Sequence, residues 1–193
     1  MSVTPNPRLV HFIAGATGAW RIREIRTVVG ESFPLAARLD VTATPPPIAL
    51  PTALDCAWSL RGATSNERYV TQDEKQQLIA KQEGLGRPDS TYAALIPIKK
   101  SAAWWALTQE ARRAIFEEKS HHTQIGLRYL PAIARRLHHC RDLSTAEPFD
   151  FLTWFEYPAA AEADFDHLLH ELRASPEWSY VEREVDIRLE RAC

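Results

Sequence analysis

The sequence predicts an α+β fold of ferredoxin-like arrangement, with helices packed outside a sheet. Two observations carry this reading. The chain contains two runs of roughly β-α-β character, each with an antiparallel partner, and its segments of period-two alternation are separated by amphipathic helical stretches. At 193 residues and 45% apolar content it can bury one good core, or two small subdomains sharing one. No internal repeat is visible in the sequence.

Residues 8–29, "RLVHFIAGATGAWRIREIRTVV", read as two strands around the Gly15 to Gly18 turn, because the second part alternates apolar and charged residues. A half-buried antiparallel hairpin is expected. "VTATPPPIALPTA", 41–53, has four prolines in thirteen positions. Proline cannot donate to a sheet or continue a helix, so an exposed, disordered connector is expected there. "CAWSLRGATS" returns to strand, and "NERYVTQDEKQQLIAKQEGLGRP" reads as a helix stopped by Gly84 and Gly86 before Pro88.

"YAALIPIKK", 92–100, is a short apolar run closed by two lysines. Thr108 is a good N-cap with acidic residues in the following turn, so a helix begins there. A second helical stretch is expected through 121–139, bent by Pro131. "FDFLTWFEY", 149–157, has strand composition and alternation, and "EADFDHLLHELRAS" is an amphipathic helix. "YVEREVDIRLE" places Val181, Val185, Ile187 and Leu189 on one strand face and charges on the other.

Twenty-three basic against 25 acidic residues leave a formal net charge of -2. There is no broad cationic field for phosphate backbones or anionic lipid, so neither nucleic acid nor membrane is an expected partner. Cys56, Cys140 and Cys193 are odd in number, far apart and without C-x-x-C spacing. That argues against a disulfide framework or a structural zinc site and fits a reducing compartment. The N-terminal apolar patch is interrupted by His11 and preceded only by Arg8, so no signal peptide or membrane span is expected, and the expected address is the cytoplasm.

Several motifs invite chemistry. Gly84-Leu85-Gly86 lacks a third glycine and follows a helix, so it reads as a helix stop, not a dinucleotide loop. His167 and His170 stand at i and i+3 without a third ligand, which favours a solvated face. His138-His139-Cys140, read as helical, would point about 100° apart and chelate one ion poorly. His121-His122 alone carries no more weight. Were 122–135 one straight helix, His122 and Arg135 would lie about 20 Å apart on different faces, so serving one site requires a bend.

Neighbouring residues raise the weight of His122. "ALIPIKKSAAWW", "FEEKSHHTQIGLRYLPAIARR", "FDFLTWFEY" and "SPEWSYVEREVDIRL" together resemble the chlorite dismutases, specifically their short-chain, dimeric lineage. The resemblance covers nearly the whole chain, most strongly from about 60 to 191. It implies a dimeric α+β barrel: ferredoxin-like halves, a shortened one at 1–90 and a haem-binding one at 91–193, forming an antiparallel β-barrel with helices outside. It also implies a homodimer, haem b as cofactor, and conversion of chlorite to chloride and dioxygen with O–O bond formation. Other small anions are further expected ligands.

By the same resemblance His122 is the proximal haem iron ligand and Arg135 the distal, catalytic arginine. Glu177 corresponds to a carboxylate bonded to the proximal imidazole, and Lys100 to the lysine paired with it. Trp104 and Trp105 correspond to paired tryptophans beside the haem, Tyr69 to a propionate contact and Gln82 to a distal-side residue. The chemistry is coherent: a carboxylate on the far imidazole nitrogen makes the axial ligand more electron-donating, and a buried carboxylate needs a cation. Singly, each residue has a plain structural reading, the tryptophans as core and Lys100 and Glu177 as surface charges.

Rival readings are a coproheme decarboxylase-like or peroxidase-like haem protein, a non-catalytic haem-binding sensor or store, and a haem-free structural dimer. Against the decarboxylase, this chain has Arg135 where that group usually has glutamine, and Ile96-Pro97-Ile98 where it has a tyrosine before the proline.

Overall fold

The computed structural model describes residues 8–43, 56–64, 71–81 and 83–192. Most of the proline-rich connector, together with Tyr69 and Gln82, lies outside them. Eight antiparallel strands close into a barrel in the order β1-β3-β2-β8-β5-β7-β6-β4, so the α+β expectation holds. They are β1 (Leu9–Gly15), β2 (Trp20–Val29), β3 (Arg38–Thr42), β4 (Cys56–Thr64), β5 (Tyr92–Lys100), β6 (Ala134–His139), β7 (Phe151–Tyr157) and β8 (Val181–Arg191). The helices are α1 (Gln72–Lys81), α2 (Ala102–Ala106), α3 (Gln109–Arg113), α4 (His122–Arg128) and α5 (Glu162–Arg173). Among the described residues no helix is long and apolar enough to cross a membrane.

Two expectations need correction. β1 and β2 do not form a hairpin: β3 lies between them, pairing Ala14 with Leu39 on one side and Trp20 with Leu39 on the other. Gly18 makes this insertion possible. Its φ is +145°, and a Cβ there would sit 2.5 Å from the Leu39 carbonyl carbon, so only glycine lets the β3 backbone pass this close. β3 also takes up Val41 and Thr42, the first two residues assigned to the connector.

The second correction concerns 121–139. α4 ends at Arg128, and Ala134–His139 is strand β6, laddered to β7 from Ala134↔Glu156 to His139↔Phe151. Pro131, lacking an N–H, does not bend a helix but lies between a helix and a strand. The period-two signal of "ARRLHH" is hidden because both of its faces carry polar residues. His138, His139 and Cys140 are therefore not helical, and all three are buried.

The core has two layers. Inside the barrel, Phe12, Trp20, Leu39, Leu60, Leu95, Leu152, Trp154, Val185, Ile187 and Leu189 form one cluster. Outside it, Phe165, Leu168, Leu169 and Leu172 of α5 pack on Ala94, Ile96, Phe155 and Tyr157. Each such large side chain contributes about 1.5–3 kcal/mol on burial, several times any pairwise effect along the helix surface, so burial seats α5. Val181 belongs to the outer cluster, unlike its expected companions, because the β5–β8 register shifts between Lys99 and Lys100. His167 and His170 are exposed on α5, as expected.

His138 lies edge-on to Phe12 inside the barrel, and its Nδ1 donates to the Leu152 carbonyl at 3.3 Å. Burial holds its pKa down at about 4, with Arg136 and His139 adding to the shift. The folded chain thus favours the neutral ring, while the unfolded chain takes up a proton near the ordinary value of 6.5. Stability is expected to fall by about 3 kcal/mol as the pH drops from 6.5 to 4 and to level off below. Urea unfolding along that pH range checks this, and His138→Leu should flatten that component of the profile.

Candidate functional site

A chain of polar groups, buried at Lys100 and Glu177 and half-buried at His122, links three elements beneath a small cavity. Lys100 closes β5, Glu177 sits in the single-turn 3₁₀ segment Pro176–Tyr180, and His122 opens α4. Lys100 Nζ donates to Glu177 Oε1 at 2.7 Å, and Glu177 Oε2 lies 2.7 Å from His122 Nδ1. Lys100 is 4% and Glu177 3% exposed, so neither is the surface charge that each could be when read alone. Burial pushes the Glu177 carboxyl up, but His122 and then Lys100 outweigh it and hold the pKa at about 2. An ionised carboxylate only accepts, so Nδ1 of His122 carries a proton toward it, and Nε2 is the ring nitrogen that Glu177 does not engage.

Local structure fixes each member. The Glu177 amide donates to Ser120 Oγ at 2.9 Å, and the Lys100 amide to Asp150 Oδ2 at 2.8 Å. α3 runs directly into a π-helical segment, Ala114–Lys119, whose Phe116 ring stacks on His122 at 4.2 Å and 19°. π-helical turns are rare and recur at functional sites. Glu117 in the same segment accepts the Thr123 N–H at 2.7 Å, satisfying one open donor of α4. His121 takes the left-handed conformation, φ 52°, which turns the chain into α4.

The cavity above this chain measures about 100 Å³. His122, Trp104, Phe116 and Trp178 wall it from the helical side, and Ile98, Leu137, Phe151 and Thr153 from the outer face of the sheet. Trp178 is held by its Nε1 donating to Glu184 at 2.7 Å, and Lys100 Nζ lies 4.8 Å from the Trp104 ring centre. Trp105 does not line the cavity. Its ring stacks behind Phe151 and donates to Asp150 at 3.2 Å, bracing the carboxylate that holds the Lys100 amide.

Arg135 lies two residues from Leu137 on β6 and so on the same outer sheet face. It is not among the lining residues. Its guanidinium rests on Gly126, one turn beyond His122, so closely that a Cβ there would meet it at 2.0 Å. The strand that replaces the expected helix thus brings Arg135 back beside the helix that carries His122, which no straight helix could do.

Phe116, Glu117, Gly126 and Trp178 were not singled out from sequence. Trp178 adjoins Glu177 and could have been noticed; the others emerge only from the π-helical turn and the return of β6.

The fold has counterparts in known proteins. The family model described as Chlorite dismutase matches residues 47–191. The chain belongs to the chlorite dismutase family. The crystal structure of dimeric chlorite dismutases from Nitrobacter winogradskyi superposes with a TM-score of 0.86 at 53% identity, covering 95% of this chain and 99% of that one. Chlorite dismutase from Candidatus Nitrospira defluvii in complex with imidazole is 32% identical over 70% of this chain and 56% of its own, with a TM-score of 0.56. A curated chlorite dismutase from Ideonella dechloratans is 32% identical over 133 residues, 65% of this chain. The chain spans 42% of that relative's length.

Proposed function

We propose that this chlorite dismutase family member is a homodimeric haem b enzyme that converts chlorite to chloride and dioxygen, with two ferredoxin-like halves, 1–90 and 91–193. The observation that carries the reading is the Lys100–Glu177–His122 chain, buried at its first two members, which leaves one imidazole nitrogen unengaged at an aromatic-lined cavity. His122 offers one nitrogen donor, and a haem, which brings most of its iron's ligands itself, would ask for no more than that from the protein. The donor set fits that group. The cavity, about 100 Å³, is smaller than the usual 300–1,000 Å³ of ligand sites.

In this reading bound haem supplies the iron at which the two Cl–O bonds of chlorite are exchanged for one O–O bond. His122 would hold the iron through Nε2, Glu177 would keep the proton on Nδ1 and make the ring more donating, and Lys100 would help keep Glu177 ionised. Trp104 and Trp178 offer flat apolar surface to the macrocycle. ClO₂⁻ → Cl⁻ + O₂ takes up and releases no proton, so the group that holds the anion needs fixed charge rather than a titratable proton. Arg135 suits that role. Tyr69 and Gln82 complete the proposed set, as propionate and distal contacts.

The family match, the dimeric relative and the free thiols of Cys56 and Cys140 support a homodimer in a reducing, cytoplasmic setting. The test is an absorption spectrum of protein with haem, followed by chlorite addition while dissolved oxygen is recorded. Oxygen evolution in step with chlorite loss is expected, and a haem spectrum without oxygen would make the chain a haem-binding module instead.

Gly126 offers a check on Arg135 within this scheme. Gly126→Ala is expected to displace the guanidinium and weaken cyanide binding to the haem-loaded protein about fivefold or more, the weight of a perturbed charge-assisted contact. Spectroscopic titration reads this directly.

A further inference from the structure

One end of the barrel opens into a second cavity of about 670 Å³, within the range of small-molecule sites. It lies on the opposite face of the sheet from His122. Arg136 and His138 of β6 line it, alternating with Leu137 and His139 of the first cavity, and Trp154 lines it where Thr153 lines the other. Its floor is Trp20 and Trp154, edge to face at 5.3 Å, with Val10, Val41 and Leu85 on the walls. Leu85-Gly86, the helix stop after α1, closes one side.

The charges do not cancel. Glu156 is already engaged: it accepts the Gly86 N–H at 2.6 Å and Trp154 Nε1 at 2.9 Å, and Arg191 lies 4.0 Å away. Arg191 in turn covers the Trp20 ring at 5.0 Å. Arg136 has no ion pair with any described residue and remains the surplus cation at the mouth. His138 spends its Nδ1–H on the Leu152 carbonyl, so the neutral ring has an acceptor at Nε2.

We infer that this barrel mouth is a second ligand site, for a small carboxylic acid with an aromatic or similarly flat apolar body. The carboxylate meets Arg136, and the body lies between the Val10, Val41 and Leu85 walls against the parts of Trp20 and Trp154 that line the floor beside Arg191. The combination of one unneutralised guanidinium with an aromatic floor selects against neutral apolar molecules and against inorganic anions, neither of which uses both features. The inference is independent of the haem reading, because the site faces the other side of β6 and β7.

Isothermal titration of the full chain, with and without haem, with benzoate and with benzyl alcohol tests it. Saturable benzoate binding at 1:1 is expected, about tenfold or more tighter than benzyl alcohol, as one charge-assisted contact provides. Arg136→Gln should remove that difference while leaving benzyl alcohol unchanged, and Trp20→Leu should weaken both. Arg135→Gln, on the other face, should change neither. Equal affinity for the two probes, benzoate binding indifferent to Arg136→Gln, benzoate binding lost in Arg135→Gln, or no saturable binding would each overturn the assignment.

Discussion

Glu177→Ala is expected to lower folding stability by about 3–5 kcal/mol, because it leaves Lys100 buried at 4% exposure with no counter-charge. Urea unfolding of the haem-free protein at neutral pH measures this. Lys100 would have to shed its proton or draw in water, and the turn Pro176–Tyr180 would lose its tie to both β5 and α4. Glu177→Gln separates charge from shape. If the amide NH₂ faces His122, it donates to Nδ1 and forces the imidazole proton onto Nε2, the atom proposed to hold the iron. If it faces Lys100 instead, two donors meet. Either way a near-isosteric change should weaken the proposed hold of His122 on haem, seen as a shifted haem spectrum and faster haem loss to a scavenger. A Glu177→Gln protein with unaltered stability and spectrum would remove Glu177 from the proposed site.

The contrast between what could and could not be read from the residues follows from where periodicity survives. α5 was legible because one face is apolar and the other polar, and β7 and β8 because of their aromatic and β-branched composition and alternation. β6 was misread as helix because Arg135 and Arg136 are adjacent while His138 and His139 are both buried, so neither face stands out as apolar. β3 escaped because five residues, "RLDVT", carry too little alternation to be seen. The β1–β2 hairpin was a reasonable inference from a glycine turn, yet strand insertion is a tertiary outcome that Gly18 permits without announcing.

The site shows the same division. His122, Lys100 and Glu177 are separated by 22 and 55 residues, and nothing local ties them; the resemblance named them, and the structure brings all three within hydrogen-bonding distance. Trp104 and Trp105, alike in sequence, part company because adjacent residues of α2 point about 100° apart, one into the cavity and one behind β7. Two charges on β8, Glu184 and Asp186, looked like a solvent face but are fully buried, neutralised by Arg173 of α5 and Arg188. A buried ionic layer between helix and sheet is invisible to a rule that equates charge with exposure.

Arg135→Ala is expected to cut chlorite turnover about 10- to 100-fold, the weight of one charge-assisted hydrogen bond of about 1.5–3 kcal/mol, and to release hypochlorite during turnover. In the proposed reaction a chlorine-containing oxidant would have to stay in the site until dioxygen is complete, and a fixed cation at Arg135 would retain it by attraction alone. Loss of that cation should let the oxidant escape, so inactivation should come after fewer cycles and a chlorination-trapping dye should respond. Arg135→Lys keeps a positive charge but loses the planar fork, and the position of the guanidinium against Gly126 shows how closely shape is used here. The lysine variant should therefore recover part of the turnover and leak less than alanine. If alanine turned over at the parental rate with no trapped hypochlorite, the distal role would belong to another group, and the contact with Gly126 would be packing only.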